Sequence, residues 1–145
     1  MPTNPVLIKL MSDVHKFWYQ VTGGIIGGNV MGRPILMLTT TGRKSGEPRT
    51  APLLFLRDDG RYVVIASFGG NDQHPAWWLN LKRHPEAEVR VGRERHRVLA
   101  EAATGDERER LWSAVVEMYP NYAEYQENTS RQIPVVVLRP QEGAP

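Results

Sequence analysis

The chain has 145 residues, no cysteine, and 18 lysines and arginines against 16 aspartates and glutamates, for a formal net charge of +2. That length makes one domain whose core stands without disulfides or a structural metal. The missing thiols exclude disulfides, zinc–thiolate sites, iron–sulfur clusters and a cysteine nucleophile, and they fit a reducing cytoplasm. The cations gather at Arg33, Arg43, Lys44 and Arg49 instead of forming a long basic stripe, so a local anion site is expected and a nucleic-acid face is not.

The opening MPTNPVLIKLMSDVHKFWYQ lacks a basic leader, an apolar core and a small-residue cleavage site, so no signal peptide is expected. No apolar run is long enough to span a membrane as a helix. Residues 5–20 read as an amphipathic helix, with Leu7, Leu10, Met11, Val14, Phe17, Trp18 and Val21 at helical spacing. Such a face covers a core, or forms a lid, or makes a peripheral membrane contact through Trp and Phe flanked by Lys. Residues 22–33, TGGIIGGNVMGR, hold five glycines, a density that suits a connector and no regular element.

Pro34 to Pro52, PILMLTTTGRKSGEPRTAP, reads as two strands joined by a tight loop, with Arg43 and Lys44 at its tip and Arg49 just beyond. Glycines, hydroxyls and a guanidinium fork suit a phosphate or a carboxylate, although a solvated hairpin tip carries charges equally well. Asp58-Asp59-Gly60 then reads as a three-residue turn into a strand over 61–66. SFGGNDQH, 67–74, is a loop, and Pro75 opens a short helix over 76–82. A hairpin follows, 86–91 and 95–103, turning at Gly92-Arg93-Glu94. An amphipathic helix over 106–118, a segment bearing Tyr119, Tyr122 and Tyr125, and an apolar strand over 133–138 complete the order. Hairpins without strand–helix–strand alternation make the fold mainly β with peripheral helices (α+β), an antiparallel barrel-like sheet.

Three stretches carry chemistry. Besides the cationic loop, the helix start at Pro75 presents first-turn N–H groups that lack internal partners, which suits an electron-rich ring edge. Trp77 and Trp78 lie about 100° apart on that helix, so one packs inward while the other faces a groove, or both are core. Asn80 sits one turn in among apolar positions, where an amide needs a partner. The three tyrosines line one side of a helix or turn, as core, rim or the wall of an aromatic substrate's pocket. The four histidines have no ligand spacing, and no metal site is expected. No nucleophile elbow or hydrolytic triad is present.

TTTGRKSGEPRTAPLLFL, ASFGGNDQHPAWWLNLKRHPEAEVRVG and EMYPNYAEYQ…RQIPVVVLRP, in that order, closely resemble the deazaflavin-dependent nitroreductases of actinobacteria, also called coenzyme F420-dependent quinone reductases. The likeness runs from about Pro34 to Pro140, and it implies a split β-barrel of the flavin-binding oxidoreductase type. It also implies coenzyme F420 as cofactor, an 8-hydroxy-5-deazaflavin with a phospholactate–oligoglutamate tail. Residues 1–33 are then an N-terminal helix and connector, 34–140 the deazaflavin-binding domain, and 141–145 a loose tail.

By the same resemblance, Arg43, Lys44 and Arg49 meet the acidic tail. Ile65, Ala66, Ser67, Pro75, Ala76, Trp77 and Asn80 line the ring. Tyr119, Tyr122 and Tyr125 border the substrate pocket, and Ser67 or a tyrosine phenol stabilises an oxyanion. The implied reaction is hydride transfer from C5 of the reduced deazaflavin to a quinone, an enone or an unsaturated, coumarin-like lactone. The other class open to this fold is a non-catalytic deazaflavin or fatty-acid carrier. Two positions depart from the pattern: Phe68 stands where many relatives have Lys, and Leu54 replaces a tyrosine. Nitroimidazole activation is therefore not carried over. The expected partner is a small hydrophobic acceptor, and the expected assembly is a monomer or weak dimer. The expected location is the cytoplasm, or the inner face of the membrane if the N-terminal helix meets lipid.

Overall fold

The computed structural model describes residues 29–30 and 33–141, with side chains from Pro34 onward. The helix expected over 5–20, most of the glycine connector and the tail beyond 141 lie outside the described residues. The described residues form eight strands: β1 (Asn29–Val30), β2 (Arg33–Thr41), β3 (Pro48–Leu54), β4 (Leu56–Asp58), β5 (Arg61–Ile65), β6 (Glu86–Val91), β7 (Glu94–Ala102) and β8 (Val135–Pro140). Among the described residues three α-helices accompany them: α1 (Ala76–Arg83), α2 (Gly105–Met118) and α3 (Asn121–Glu127), with a short 3-10 turn over Phe68–Gly70.

All pairings are antiparallel, and the sheet runs β1-β2-β6-β7-β8-β5-β4, with β3 also paired to β2. The segments β3 and β4 therefore lie at opposite ends of the path, yet Phe55 alone separates them in the chain. One strand, bent at Phe55, joins the two ends and curls the sheet back on itself. The bend is fixed from both sides: Phe55 N–H donates to Pro34 O at 3.3 Å, and its buried ring meets Tyr62 edge-on at 5.7 Å. The expected antiparallel, barrel-like sheet is present.

Strand alternation sends the apolar residues to opposite faces of the sheet, where two main cores form and Ile35 and Met37 make a small third cluster. Leu36, Leu38, Val64, Val136 and Leu138 point into the barrel, where they meet Trp77, Trp78 and Leu81 of α1. Val63, Ile65, Val135 and Val137 point outward and pack under Leu111 and Val115 of α2 and Tyr122 of α3. Strand β8 is thus buried on both faces, as its unbroken apolar run predicts. It begins at Val135 and not at Ile133, because Pro134 has no N–H for the ladder; its carbonyl accepts from Ala66 N–H at 3.0 Å.

Two turns are shorter than the sequence pattern predicts. Asp58 pairs with Arg61, leaving a two-residue loop of Asp59 and Gly60 with φ 51° and 79°. Two left-handed residues match the twist of a hairpin, and Asp58 stays in the strand because its carboxylate is bound. It accepts Arg110 Nη1 and Nη2 of α2 at 2.9 and 3.1 Å, and it also accepts Arg61. These two arginines hold the Asp58 carboxyl well below the usual carboxylate range, Arg110 contributing most. Likewise Val91 pairs with Glu94, so the turn is Gly92-Arg93 alone.

Candidate active site

The β2–β3 hairpin ends in a closed loop. Gly42 N–H donates to Glu47 O and Gly46 N–H to Gly42 O, both at 2.8 Å. A side chain at Gly42 would stand 2.6 Å from Ser45 Oγ and 3.1 Å from Glu47 O, so anything larger than glycine would push Ser45 aside and crowd the turn. Lys44, Ser45 and Arg49 are exposed on this loop. Arg49 reaches Glu47 only at 3.9 Å, with both side chains in solvent, which leaves its charge available.

Arg43 behaves differently, because it is half-buried and turned toward helix α1. Its backbone N–H and its Nη1 both donate to Asn80 Oδ1, at 3.1 and 3.0 Å. The same amide donates from Nδ2 to Thr40 Oγ1 at 3.1 Å. Asn80 is 3% exposed. This supplies the partner that an amide on an apolar helix needs. It also makes Asn80 a structural clamp, since both ends of its side chain are spent fastening the cationic hairpin to α1. The hairpin tip is therefore held against α1.

The tryptophans do not split between core and groove. Trp77 and Trp78 are 8% and 9% exposed and both pack in the barrel interior. Neither of these indoles walls a slot, and what α1 offers a ligand is its first turn at exposed Ala76, behind buried Pro75.

Between β5 and α1 the chain makes a loop whose conformation is unusual. Phe68, Gly69 and Gly70 all have positive φ, at 50°, 64° and 80°. Three successive left-handed residues, one of them a bulky aromatic, persist only where the surroundings fix them. Arg131 does much of that. Its Nη1 donates to Ala66 O at 3.1 Å, its Nη2 to Ser67 O at 2.7 Å and its Nε to Asn71 O at 2.9 Å. Its Nη1 also lies 3.2 Å from His74 Nδ1. Burial first, then the charges of Arg131 and Lys82, pull His74 below its ordinary value, so its Nδ1 accepts this contact as a neutral ring. Sequence reasoning missed Arg131. It opens the RQIPVVVLRP segment, far along the chain from the cations that cluster at the hairpin.

The tyrosines pack together beside this loop. Tyr119 follows α2, while Tyr122 and Tyr125 lie on α3; their rings meet edge-on at 5.1, 6.4 and 6.1 Å, a three-way cluster rather than a line. Tyr122 is buried, and Tyr119 and Tyr125 are partly open. Burial, and next the hydrogen bond to Tyr119, push the Tyr125 phenol up to about 12. The cluster touches the loop directly, since a side chain at Gly70 would stand 3.0 Å from Tyr125 Cα. Of the expected ring-lining residues, Ile65, Ala66 and Ser67 are buried, so near a ligand they offer backbone more than side chain.

A cavity of about 600 Å³ opens beside the hairpin, lined by Thr40, Gly46, Glu86, Glu88 and Arg97 among others. Two carboxylates in its wall make it a poor seat for an acidic chain.

A family model described as F420H(2)-dependent quinone reductase matches residues 11–140. The chain belongs to that family. An F420H(2)-dependent quinone reductase of Mycobacterium tuberculosis (strain ATCC 25618 / H37Rv) is 43% identical over 129 residues, covering 86% of this chain and 87% of its own. The solved F420-H2 dependent reductase FDR-A superposes with a TM-score of 0.69 at 44% identity, over 74% of this chain and 95% of its own. A solved domain-swapped dimer, 39% identical, gives 0.69 over 86% of this chain and 98% of its own. The protein is thus an F420-dependent reductase, with coenzyme F420 as its cofactor. Its site fits that group: exposed Lys44, Arg49 and Ser45 suit an acidic tail, and the exposed Gly69 backbone with the first turn of α1 suits a flat, electron-rich head. Among the described residues no helix is long and apolar enough to cross a membrane, and no metal-ligand cluster occurs.

Proposed function

We propose that this F420-dependent reductase reduces quinones by two electrons, and that enones and unsaturated lactones of similar size enter the same acceptor face. The observation that supports this most is the Asn80 clamp, which fastens a cationic hairpin to the helix behind the ring-side loop. A long acidic molecule with a flat head is then held at both ends. In this reading Lys44, Arg49 and the outer edge of Arg43 bind the tail. The backbone at Ala66 to Gly70 and at Pro75, Ala76 and Trp77 receives the ring. Ile65 and Asn80 act from behind, as packing and clamp.

Reduced F420 supplies a hydride equivalent when bound. The chain's own residues bind, orient and exclude water. Reduction of a quinone or enone places negative charge on the acceptor oxygen, and a donor aimed there lowers the barrier. Ser67 and the phenols of Tyr119 and Tyr125 are the donors within this region. Because Tyr125 is held up to about 12, it keeps its proton across the working range; it donates a hydrogen bond, and solvent supplies the proton that completes the product. Tyr122 is buried and backs the other two.

We also infer a cytoplasmic enzyme with no nucleic-acid partner. The test is to mix the protein with reduced F420 and menadione and follow reappearance of the oxidised coenzyme, with FMN and nicotinamide cofactors alongside. Turnover with F420 alone is expected. Binding of F420 without turnover against quinones, enones and lactones would leave a carrier instead of an enzyme.

A further inference from the structure

We propose that Arg131 is a positioning residue for F420: its guanidinium sets the ring-side loop and ties it to the tyrosine helix. The assignment rests on the functional reading above and adds to it a residue that does not itself meet the coenzyme.

The loop from Ala66 to Pro75 crosses from β5 to α1 outside any strand ladder, so its inward carbonyls need partners from elsewhere. One guanidinium serves the carbonyls of Ala66, Ser67 and Asn71 and the ring of His74, joining the strand exit to the helix entry. Only a planar fork reaches such a set; an ammonium does not. The Arg131 backbone is fastened in turn. Gln126 of α3 donates from Nε2 to Arg131 O at 2.7 Å, and its Oε1 accepts from Ile133 N–H at 3.0 Å. Thr129 Oγ1 donates to Asp72 Oδ1 at 2.8 Å and accepts from Arg131 N–H at 3.3 Å. The loop that receives the coenzyme and the helix that faces the acceptor are thereby held in one register.

The experiment compares Arg131→Lys, Arg131→Met and Thr129→Val with the unaltered chain. Asp58→Asn serves as a stability control, since Asp58 flanks the opposite end of β5. Thermal unfolding checks the fold. The fluorescence of oxidised F420 gives a dissociation constant without turnover, and NMR follows the His74 titration. Both Arg131 variants are expected to bind F420 at least tenfold more weakly. In Arg131→Met, His74 titrates nearer its ordinary value. In turnover kcat falls while the menadione KM holds.

Asp58→Asn loses melting temperature but keeps the F420 constant within twofold. Thr129→Val falls between, and with Arg131→Lys it carries the test should Arg131→Met not fold. Binding within twofold in Arg131→Lys and Thr129→Val overturns the assignment, as does an equal loss in Asp58→Asn. Failure of the unaltered chain to bind F420 overturns the reading of the whole site, and this assignment with it.

Discussion

Replacing Asn80 with alanine separates the clamp from the charge it holds. The change removes two bonds to Arg43 and one to Thr40, at 3.1, 3.0 and 3.1 Å, from an amide that is 3% exposed. One of these is charge-assisted, so the total is worth about 3 kcal/mol of stability on typical values. Only part of that enters binding. Once released, Arg43 must be ordered by the coenzyme, and fixing a long side chain costs about 1.5 kcal/mol of rotamer entropy, roughly a tenfold rise in the F420 dissociation constant. Arg43→Ala removes the charge itself and is expected to cost at least as much. The decisive measurement is the double variant, titrated with F420 under the same conditions. If Asn80 acts through Arg43, the pair binds no worse than Arg43→Ala alone, because there is no side chain left to order. Additive losses, near a hundredfold together, would refute action through the Arg43 side chain.

Asp58→Asn is expected to lower the melting temperature at neutral pH. Because the folded carboxyl lies below its ordinary value, the advantage of the unaltered chain is full above about pH 4 and shrinks as acid protonates it; melting curves across pH 2–7 check this, with a pH-independent gap the contrary outcome. Tyr125→Phe is expected to lower kcat with menadione by roughly tenfold to a hundredfold with little change in KM, and the unaltered enzyme's kcat should show no tyrosine ionisation below about pH 10, given a phenol held up to about 12. Gly70→Ala is expected to cost about 1–3 kcal/mol, since φ is 80° and the new carbon would stand 3.0 Å from Tyr125 Cα; unchanged thermal unfolding would count against the packing of this loop on α3.

What was legible in the sequence was what is local. Strands announced themselves by alternation, the hairpin by its glycines, and the doubly buried strand by an apolar run. Asn80 was legible as an amide in need of a partner, though not which partner. The tryptophans left two readings open, a split between core and groove or both in the core, and the second holds because α1 is sunk against the barrel interior and buries Trp77, Trp78, Asn80 and Leu81 together. Turn lengths failed where a side chain decided them: Asp58 looks like a turn residue until its two arginines are in place. Arg131 was hidden for a simpler reason. Its partners are mostly carbonyls, and carbonyls have no letter.

The convergence of distant segments follows from strand register. Ile65 pairs with Val135, so in this antiparallel pair the chain leaving β5 lies beside the chain entering β8. Arg131, four residues before Val135, is thereby placed next to Ala66 and Ser67, and α3 just before it is placed against Gly70. The helix that follows this loop then packs on β2 and meets the hairpin at Asn80. The path from the Tyr125 backbone through the strained Phe68–Gly70 turn and α1 to the cationic tip is thus continuous in the structure. A shift of β8 by one residue would turn Val135 and Val137 into the barrel and pull Arg131 from all three carbonyls. The tyrosine helix and the loop after β5 therefore cannot be moved independently. For this reason a substitution that changes substrate range through α3 is expected to alter F420 affinity as well, and one in the exposed Lys44–Arg49 loop is not expected to alter acceptor choice.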